Sequence, residues 1–209
     1  MKVTVIGTGN MGSAFVKQLH AAGHTVSVTS RDPVKACALA AQYAGVRAVD
    51  ARSSARDSDV VVLATPYDQA AAALRSLGDL DGKVVIDITN PLTADYMGLT
   101  VGHDTSAAEE IAKAAPGAQL VKGFNTLFAQ VLAAGADLGG QKATVFLASD
   151  SPKAKQAAAT LADSMGFRTM DAGGLKNARY LEPLAGLNIY FGYGAGLGTT
   201  VAPTWISAQ

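Results

Sequence analysis

The chain has 209 residues, 49% of them hydrophobic and 16% charged, and its 17 basic residues balance 17 acidic ones. That balance leaves no net field to draw the protein to nucleic acid or to an anionic membrane, so neither is an expected partner. The length suffices for one domain with its own core, and the longest apolar runs, such as Val60-Val61-Val62-Leu63-Ala64, are strand-length rather than membrane-spanning.

Lys2-Val3-Thr4-Val5-Ile6 is a β-branched run suited to a buried parallel strand, and Gly7-Thr8-Gly9-Asn10-Met11-Gly12 follows at once. In that context G-x-G-x-x-G is a dinucleotide signature. Gly7 permits the tight turn, Gly9 lets backbone approach a pyrophosphate, and Gly12 lets the next helix pack closely on the strand. The helix predicted over 11–22, stopped by Gly23, would turn its free N–H groups and positive dipole end toward the pyrophosphate.

A second strand, Thr25–Thr29, ends at Ser30-Arg31, where NAD sites usually carry an acid for the ribose 2′-hydroxyl. Arg31 offers a planar fork of donors, Ser30 a hydroxyl, and Lys35 a further cation one helical turn on. These residues favour NADP(H) as the cofactor. The alternative makes Asp32 the ribose acid of an NAD site, but Asp32-Pro33 also reads as an N-cap with proline at the first helical position.

Strands and helices then alternate. A helix over 33–43 precedes Gly45, a short strand covers 46–49, and a strand over 59–64 leads to Thr65-Pro66, where proline opens a helix toward Leu77. The turn at 78–82 feeds a strand over 83–88 that ends at Thr89-Asn90-Pro91-Leu92. An irregular segment, 93–105, reaches a helix capped by Ser106 with Glu109 completing a capping box. Strand Gln119–Lys122 runs into Gly123-Phe124-Asn125-Thr126. Further strands at 144–148 and Arg168–Asp171 flank a helix opened by Ser151-Pro152, and a last helix covers about 176–191. The glycine-bearing tail, 192–209, with Pro203 and Trp205, reads as a loop-like cap or a partly ordered terminus.

The expected fold is α/β: a Rossmann-type, doubly wound, mostly parallel sheet with helices on both faces. It forms a single domain over 1–209 with a C-terminal αβ extension from about 143. Met1-Lys2 leads straight into a strand, which argues against a signal peptide. The one cysteine, Cys37, lies on an alanine-rich helix and reads as a small core residue; no disulfide can form within the chain, which fits a reducing cytoplasm. His20, His24 and His103 lack ligand spacing, so no metal site is expected.

In an open parallel sheet the ligand lies beyond the carboxyl ends of the strands. Ala64, Thr65 and Pro66 would line the middle of the cofactor, and Asn90-Pro91-Leu92 with Asn125-Thr126-Leu127 would flank the nicotinamide. No Ser/His/Asp set or Cys/His pair is present to serve as a catalytic group; Lys122, Asp171 and Tyr190 are the residual candidates for an acid. A hydride acceptor with its own ring electronics needs less help than a carbonyl substrate, so the pattern leans toward a flavin-like second substrate.

These residues resemble the NADPH-dependent coenzyme F420 reductases, the F420:NADP oxidoreductase family, which is related to the cytoplasmic domains of membrane metalloreductases. The resemblance runs through GTGNMG, Thr29-Ser30-Arg31, Asp87-Ile88-Thr89-Asn90-Pro91-Leu92 and Val121-Lys122-Gly123-Phe124-Asn125-Thr126. It continues to Asp171-Ala172-Gly173-Gly174-Leu175, with Asn177-Ala178-Arg179 and Leu181-Glu182. The glycine fingerprint alone also looks like pyrroline-5-carboxylate reductase, whose large helical C-terminal domain this chain is too short to supply.

The resemblance implies Thr8, Gly9, Asn10 and Met11 on the pyrophosphate and Ser30, Arg31 and Lys35 on the 2′-phosphate. Along the cofactor it implies Ala64, Thr65 and Pro66, and on the deazaflavin side Pro91, Leu92, Asn125, Thr126 and Leu127. The archaeal members tend to carry a second Arg where this chain has Asp32 and a His where it has Asn125. It thus implies hydride transfer between NADPH and coenzyme F420 or, alternatively, FMN or FAD. Two other readings stay open: an NADPH-dependent reductase of a small C=O or C=N substrate, and a non-catalytic NADP sensor. Small residues on the last helix (Ala185, Gly186, Gly192, Gly194) would allow a homodimer.

Overall fold

The structure is a computed structural model that describes residues 1–206. Six parallel strands form the main sheet: β1 (Lys2–Ile6), β2 (Thr25–Thr29), β3 (Arg47–Ala48), β4 (Val60–Leu63), β5 (Val84–Asp87) and β6 (Gln119–Lys122). Their spatial order is β3-β2-β1-β4-β5-β6, so the direction of winding reverses between β1 and β4. That is the doubly wound dinucleotide order, and it puts every strand's carboxyl end on one edge.

Helices α1 (Asn10–Ala21), α2 (Pro33–Ala40), α3 (Ala51–Ser54), α4 (Tyr67–Arg75) and α5 (Ala107–Ala114) connect the strands. Strand β4, Val60-Val61-Val62-Leu63, is buried along its whole length, as a central parallel strand must be. Its side chains alternate: Val60 and Val62 join Phe15, Val16 and Leu19 of α1, whereas Val61 and Leu63 join Leu74 of α4 and Ile111 of α5.

Beyond β6 come α6 (Ala129–Ala134), a hairpin of β7 (Asp137–Leu138) and β8 (Gln141–Lys142), then β9 (Thr144–Leu147), α7 (Pro152–Ser164) and β10 (Arg168–Asp171). Strands β9 and β10 pair in parallel, and one antiparallel bridge, Lys122 to Ala148, joins them to β6. A single 3₁₀ turn (Leu175–Asn177) leads into α8 (Ala178–Ile189), which runs on as a π-helix (Tyr190–Gly194).

Several expectations need correction. The short α3 and α6 and the β7–β8 hairpin were not anticipated. Gly139 and Gly140, both at positive φ, were the readable signal for the hairpin. Helix α2 stops at Ala40 rather than Tyr43. Cys37 is exposed, not a core residue, because Ala36, Leu39 and Ala40 form the buried face of α2.

Of the small residues named on the last helix, Gly186 is half-buried and Gly194 exposed. Ala185 is buried, a Cβ on Gly192 would meet Phe128 at 2.5 Å, and one on Gly194 would meet Tyr190 at 2.7 Å. The tail lies over β9, with Trp205 edge-on to Phe146 at 5.7 Å; residues 207–209 fall outside the described part.

Candidate functional site

The glycine turn owes its shape to close backbone approaches. Gly7 has φ of 114°, and a Cβ there would stand 2.2 Å from the carbonyl oxygen of Ala64. A Cβ on Gly12 would stand 2.1 Å from the carbonyl oxygen of Gly7, so α1 can sit this close to β1 only with glycine there. Gly9 differs: a Cβ there would meet nothing within 4 Å. This open backbone face caps the start of α1, with Thr8, Asn10 and Met11 as its neighbours along the chain. An incoming pyrophosphate could reach the free N–H groups of α1 there.

At the end of β2, Asp32 caps α2, its carboxylate accepting from the amides of Val34 (3.0 Å) and Lys35 (3.4 Å), with Pro33 at the first helical position. The cap accounts for this acid. The Ser30 hydroxyl donates to the Asp32 carbonyl at 2.6 Å. Arg31 is exposed and makes no hydrogen bond or ion pair with the described residues, and Lys35 is 73% exposed with its ammonium 3.9 Å from Asp32. Two cations therefore stand at the end of β2 with their donors available to a phosphate.

The far end of the strand edge is built differently. After β6, Phe124 adopts φ of 61°, an unusual conformation for a bulky residue, and its ring is wedged between Phe15 (4.9 Å) and Phe167 (6.1 Å). The bend turns Asn125 back over the strand ends. The Asn125 amide donates to Asn90 Oδ1 (3.0 Å) and to the Leu181 carbonyl (2.9 Å), and the Asn90 amide donates to the Asn125 carbonyl (2.8 Å). Pro91, Thr126 and Leu127 are buried beside this pair, and Leu92 is half-buried.

Buried oxygens without a partner also gather along this edge: Thr65 Oγ1, Thr89 Oγ1, Asn125 Oδ1 and Thr126 Oγ1. A buried polar atom left unpaired is costly, and these sit where a bound group could pair them. The open glycine turn, the exposed cations and these oxygens suit a phosphorylated dinucleotide laid along the edge.

Of the residual candidates for an acid, Lys122 is fully buried and bound to Asp87 (2.9 Å), Glu182 (2.9 Å) and the Thr89 carbonyl. With all three ammonium donors committed it cannot pass a proton to a ligand. Asp171 pairs with Lys155 at 2.7 Å, which, with the Gly173 amide, holds its carboxyl below the ordinary aspartate range. Tyr190, the third of them, is 52% exposed at the start of the π-helix beyond α8, where its ring meets Phe191 at 6.1 Å. Tyr67, at the start of α4, was not among them; burial and then the charges of Glu110, Glu182 and Asp87 push it above the ordinary tyrosine value.

The sequence pattern did not single out Asp87 and Glu182 as members of a buried cluster. The available signal was a pair of opposite charges, Asp87 and Lys122, each directly after a short apolar run (Val84-Val85-Ile86 and Leu120-Val121).

The strand order, the glycine turn and the cationic group past β2 together define a Rossmann-type dinucleotide-binding protein. Comparison with known proteins narrows this class. Residues 2–91 match the family described as NADP oxidoreductase coenzyme F420-dependent. The F420-dependent NADP reductase of Methanothermobacter marburgensis is 32% identical over 207 residues, covering 90% of this chain and 91% of that protein. The chain belongs to this F420-dependent NADP reductase family.

A crystal structure provisionally designated an F420-dependent NADP reductase, from Arthrobacter sp. FB24, superposes with a TM-score of 0.84 at 30% identity, covering 96% of both chains. The metalloreductase STEAP3 of Rattus norvegicus is 30% identical over 184 residues; the match covers 88% of this chain but only 36% of that protein. Among the described residues, no helix is long and apolar enough to cross a membrane.

Proposed function

We propose that this chain is an NADP(H)-dependent oxidoreductase that moves a hydride between NADPH and a deazaflavin of the coenzyme F420 type. The carrying observation is the shared strand edge. Parallel β1, β2, β4, β5 and β6 bring Gly7–Gly12, Ser30-Arg31, Ala64–Pro66, Asn90–Leu92 and Asn125–Leu127 to one side of a single sheet.

In this reading Gly7, Thr8, Gly9, Asn10, Met11 and Gly12 seat the pyrophosphate, and Ser30, Arg31 and Lys35 grip the 2′-phosphate. Ala64, Thr65 and Pro66 line the middle of the cofactor and Asn90 its nicotinamide end, and Pro91, Leu92, Asn125, Thr126 and Leu127 form the wall for the acceptor ring. Bound NADPH supplies a hydride, which the acceptor takes up with one proton from solvent. The protein's task is to orient and to exclude water. Buried Pro91 and Leu127 present apolar surface, while the fixed Asn90–Asn125 pair and the Thr126 hydroxyl supply polar contacts at set positions.

The whole chain acts as one nucleotide-binding unit in this reading, in a cytoplasmic setting. Its homodimer would form through the exposed side chains of Tyr180 and Leu187, which stand on one face of α8, together with Phe191 just beyond. Light scattering on wild type and Leu187→Glu tests the dimer. For the activity, purified protein is mixed with NADPH and, separately, with coenzyme F420, FMN and FAD. Stoichiometric NADPH oxidation with F420 is expected. Tight NADPH binding without turnover on any of the three would overturn the oxidoreductase reading.

A further inference from the structure

Asp87 ends β5 and Lys122 ends β6, and the two residues are directly opposite in the parallel register. Both are fully buried, as is Glu182 of α8. The Lys122 ammonium sits between Asp87 Oδ2 and Glu182 Oε1, each at 2.9 Å, and gives its remaining donor to the Thr89 carbonyl. Asp87 Oδ1 accepts from the Thr89 amide at 2.9 Å. Glu182 in turn accepts from the amides of Ala107 (2.8 Å) and Ala108 (3.1 Å) at the start of α5, where the helix dipole favours a negative charge.

Two carboxylates and one ammonium thus share a dry site, with the surplus negative charge facing the N-terminus of α5. Such a cluster is an expensive way to stabilise a fold, since apolar side chains would serve as well. Its connections show what it holds. The triad grips both backbone groups of Thr89, the residue before Asn90. The residue before Glu182 is Leu181, whose carbonyl accepts from Asn125. Both partners of the Asn90–Asn125 pair are therefore tied, one residue away, to the same buried ions.

We propose that the Asp87–Lys122–Glu182 triad is the positioning element of the acceptor wall, setting the backbone at Thr89 and through it the Asn90–Asn125 pair. None of the three touches the ligand cleft. They act through Thr89 and Leu181, so they are positioning residues. This assignment rests on the proposed reaction for its kinetic consequence, but its structural part does not.

The test uses Asp87→Asn and Glu182→Gln, each nearly isosteric; Lys122 is left in place, since its removal would strand two buried carboxylates. Leu161→Ala, in the apolar core under α7, serves as a control for general destabilisation. Amide hydrogen exchange at Thr89, whose N–H is bonded to Asp87, should accelerate about tenfold or more in both triad variants beyond its change in Leu161→Ala. At saturating NADPH, kcat with F420 should fall about 10- to 100-fold. The NADPH dissociation constant should stay within about twofold, since its phosphate contacts lie at the other end of the edge.

Exchange at Thr89 rising no more than in Leu161→Ala overturns the proposal. So does selective exchange with kcat unchanged. If wild type fails to reduce F420, the proposed reaction falls, while the exchange measurement still decides whether the triad sets this wall.

Discussion

Asn90 and Asn125 clasp each other across the ends of neighbouring strands, each amide donating to an oxygen of the other at 2.8 and 3.0 Å. Neither strand alone ties this end of the sheet edge together; the pair does, with Leu181 as third partner. Asn125→Ala removes the side-chain amide that donates to Asn90 Oδ1 and to the Leu181 carbonyl and leaves those two oxygens unpaired, while the Asn90 amide keeps its bond to the main-chain carbonyl of residue 125. It should cost about 1–3 kcal/mol of stability in denaturant unfolding. Activity with the acceptor should drop well beyond any loss of NADPH affinity. A variant with unchanged kcat/KM for the acceptor would remove Asn125 from the site.

The glycine turn makes a sharper separation. Gly9→Ala meets no neighbour within 4 Å, so thermal stability should stay within about 0.5 kcal/mol of wild type. NADPH affinity should nonetheless fall about tenfold or more, since the new methyl occupies the face where the backbone approaches phosphate. Gly12→Ala must push α1 away from the Gly7 carbonyl and should lose both stability and binding. Calorimetric titration with melting curves checks both, and full-strength NADPH binding by Gly9→Ala would contradict the pyrophosphate assignment.

Arg31 is exposed and carries no internal partner among the described residues, so Arg31→Ala should leave the fold intact. A charge-assisted contact of about 1.5–3 kcal/mol corresponds to a preference for NADPH over NADH weakened roughly 10- to 150-fold. Paired binding measurements with the two nucleotides give the ratio directly. An unchanged ratio would mean that other groups read the 2′-phosphate.

Arg179 of α8 and Glu109 of α5 form a two-pronged ion pair, with contacts of 2.9 and 2.8 Å. The Arg179 contact is the main cause that holds the Glu109 carboxyl below its ordinary value of 4.5. As pH falls, the unfolded chain takes up this proton first, so the folded state loses ground. The contribution is complete above the ordinary value and disappears as pH drops through the lower, folded one. Glu109→Gln should flatten this acid limb of a stability–pH series while changing little near neutrality. An acid limb as steep as in wild type would show that other carboxylates carry it.

Much of the fold could be read along the chain because its causes are local. The bounds of β6 and β10, the Ser106 cap with Glu109 three residues on, and Asp32 capping at Pro33 all follow from short-range pattern, and the structure contains each. The glycine turn was legible too, since sterics at Gly7 and Gly12 leave no other residue. Where local signals were weak, the reading slipped: α6 lacks a side-chain cap, and Cys37 was assigned to the core from its alanine neighbours.

By itself, then, the sequence determined an alternating α/β chain, a tight glycine turn after β1 and cations after β2. Each depends on residues close together in the chain. Only the tertiary structure decided that Asp87, Lys122 and Glu182 share one buried cluster and that Asn90 meets Asn125. Lys122 therefore proved to be an enclosed structural cation rather than a proton donor. Asp87 and Lys122, like Asn90 and Asn125, stand 35 positions apart at the ends of neighbouring strands, and Glu182 reaches them from α8. Nothing in the local pattern fixes such a meeting; it follows from strand order, register and the docking of α8 against α5.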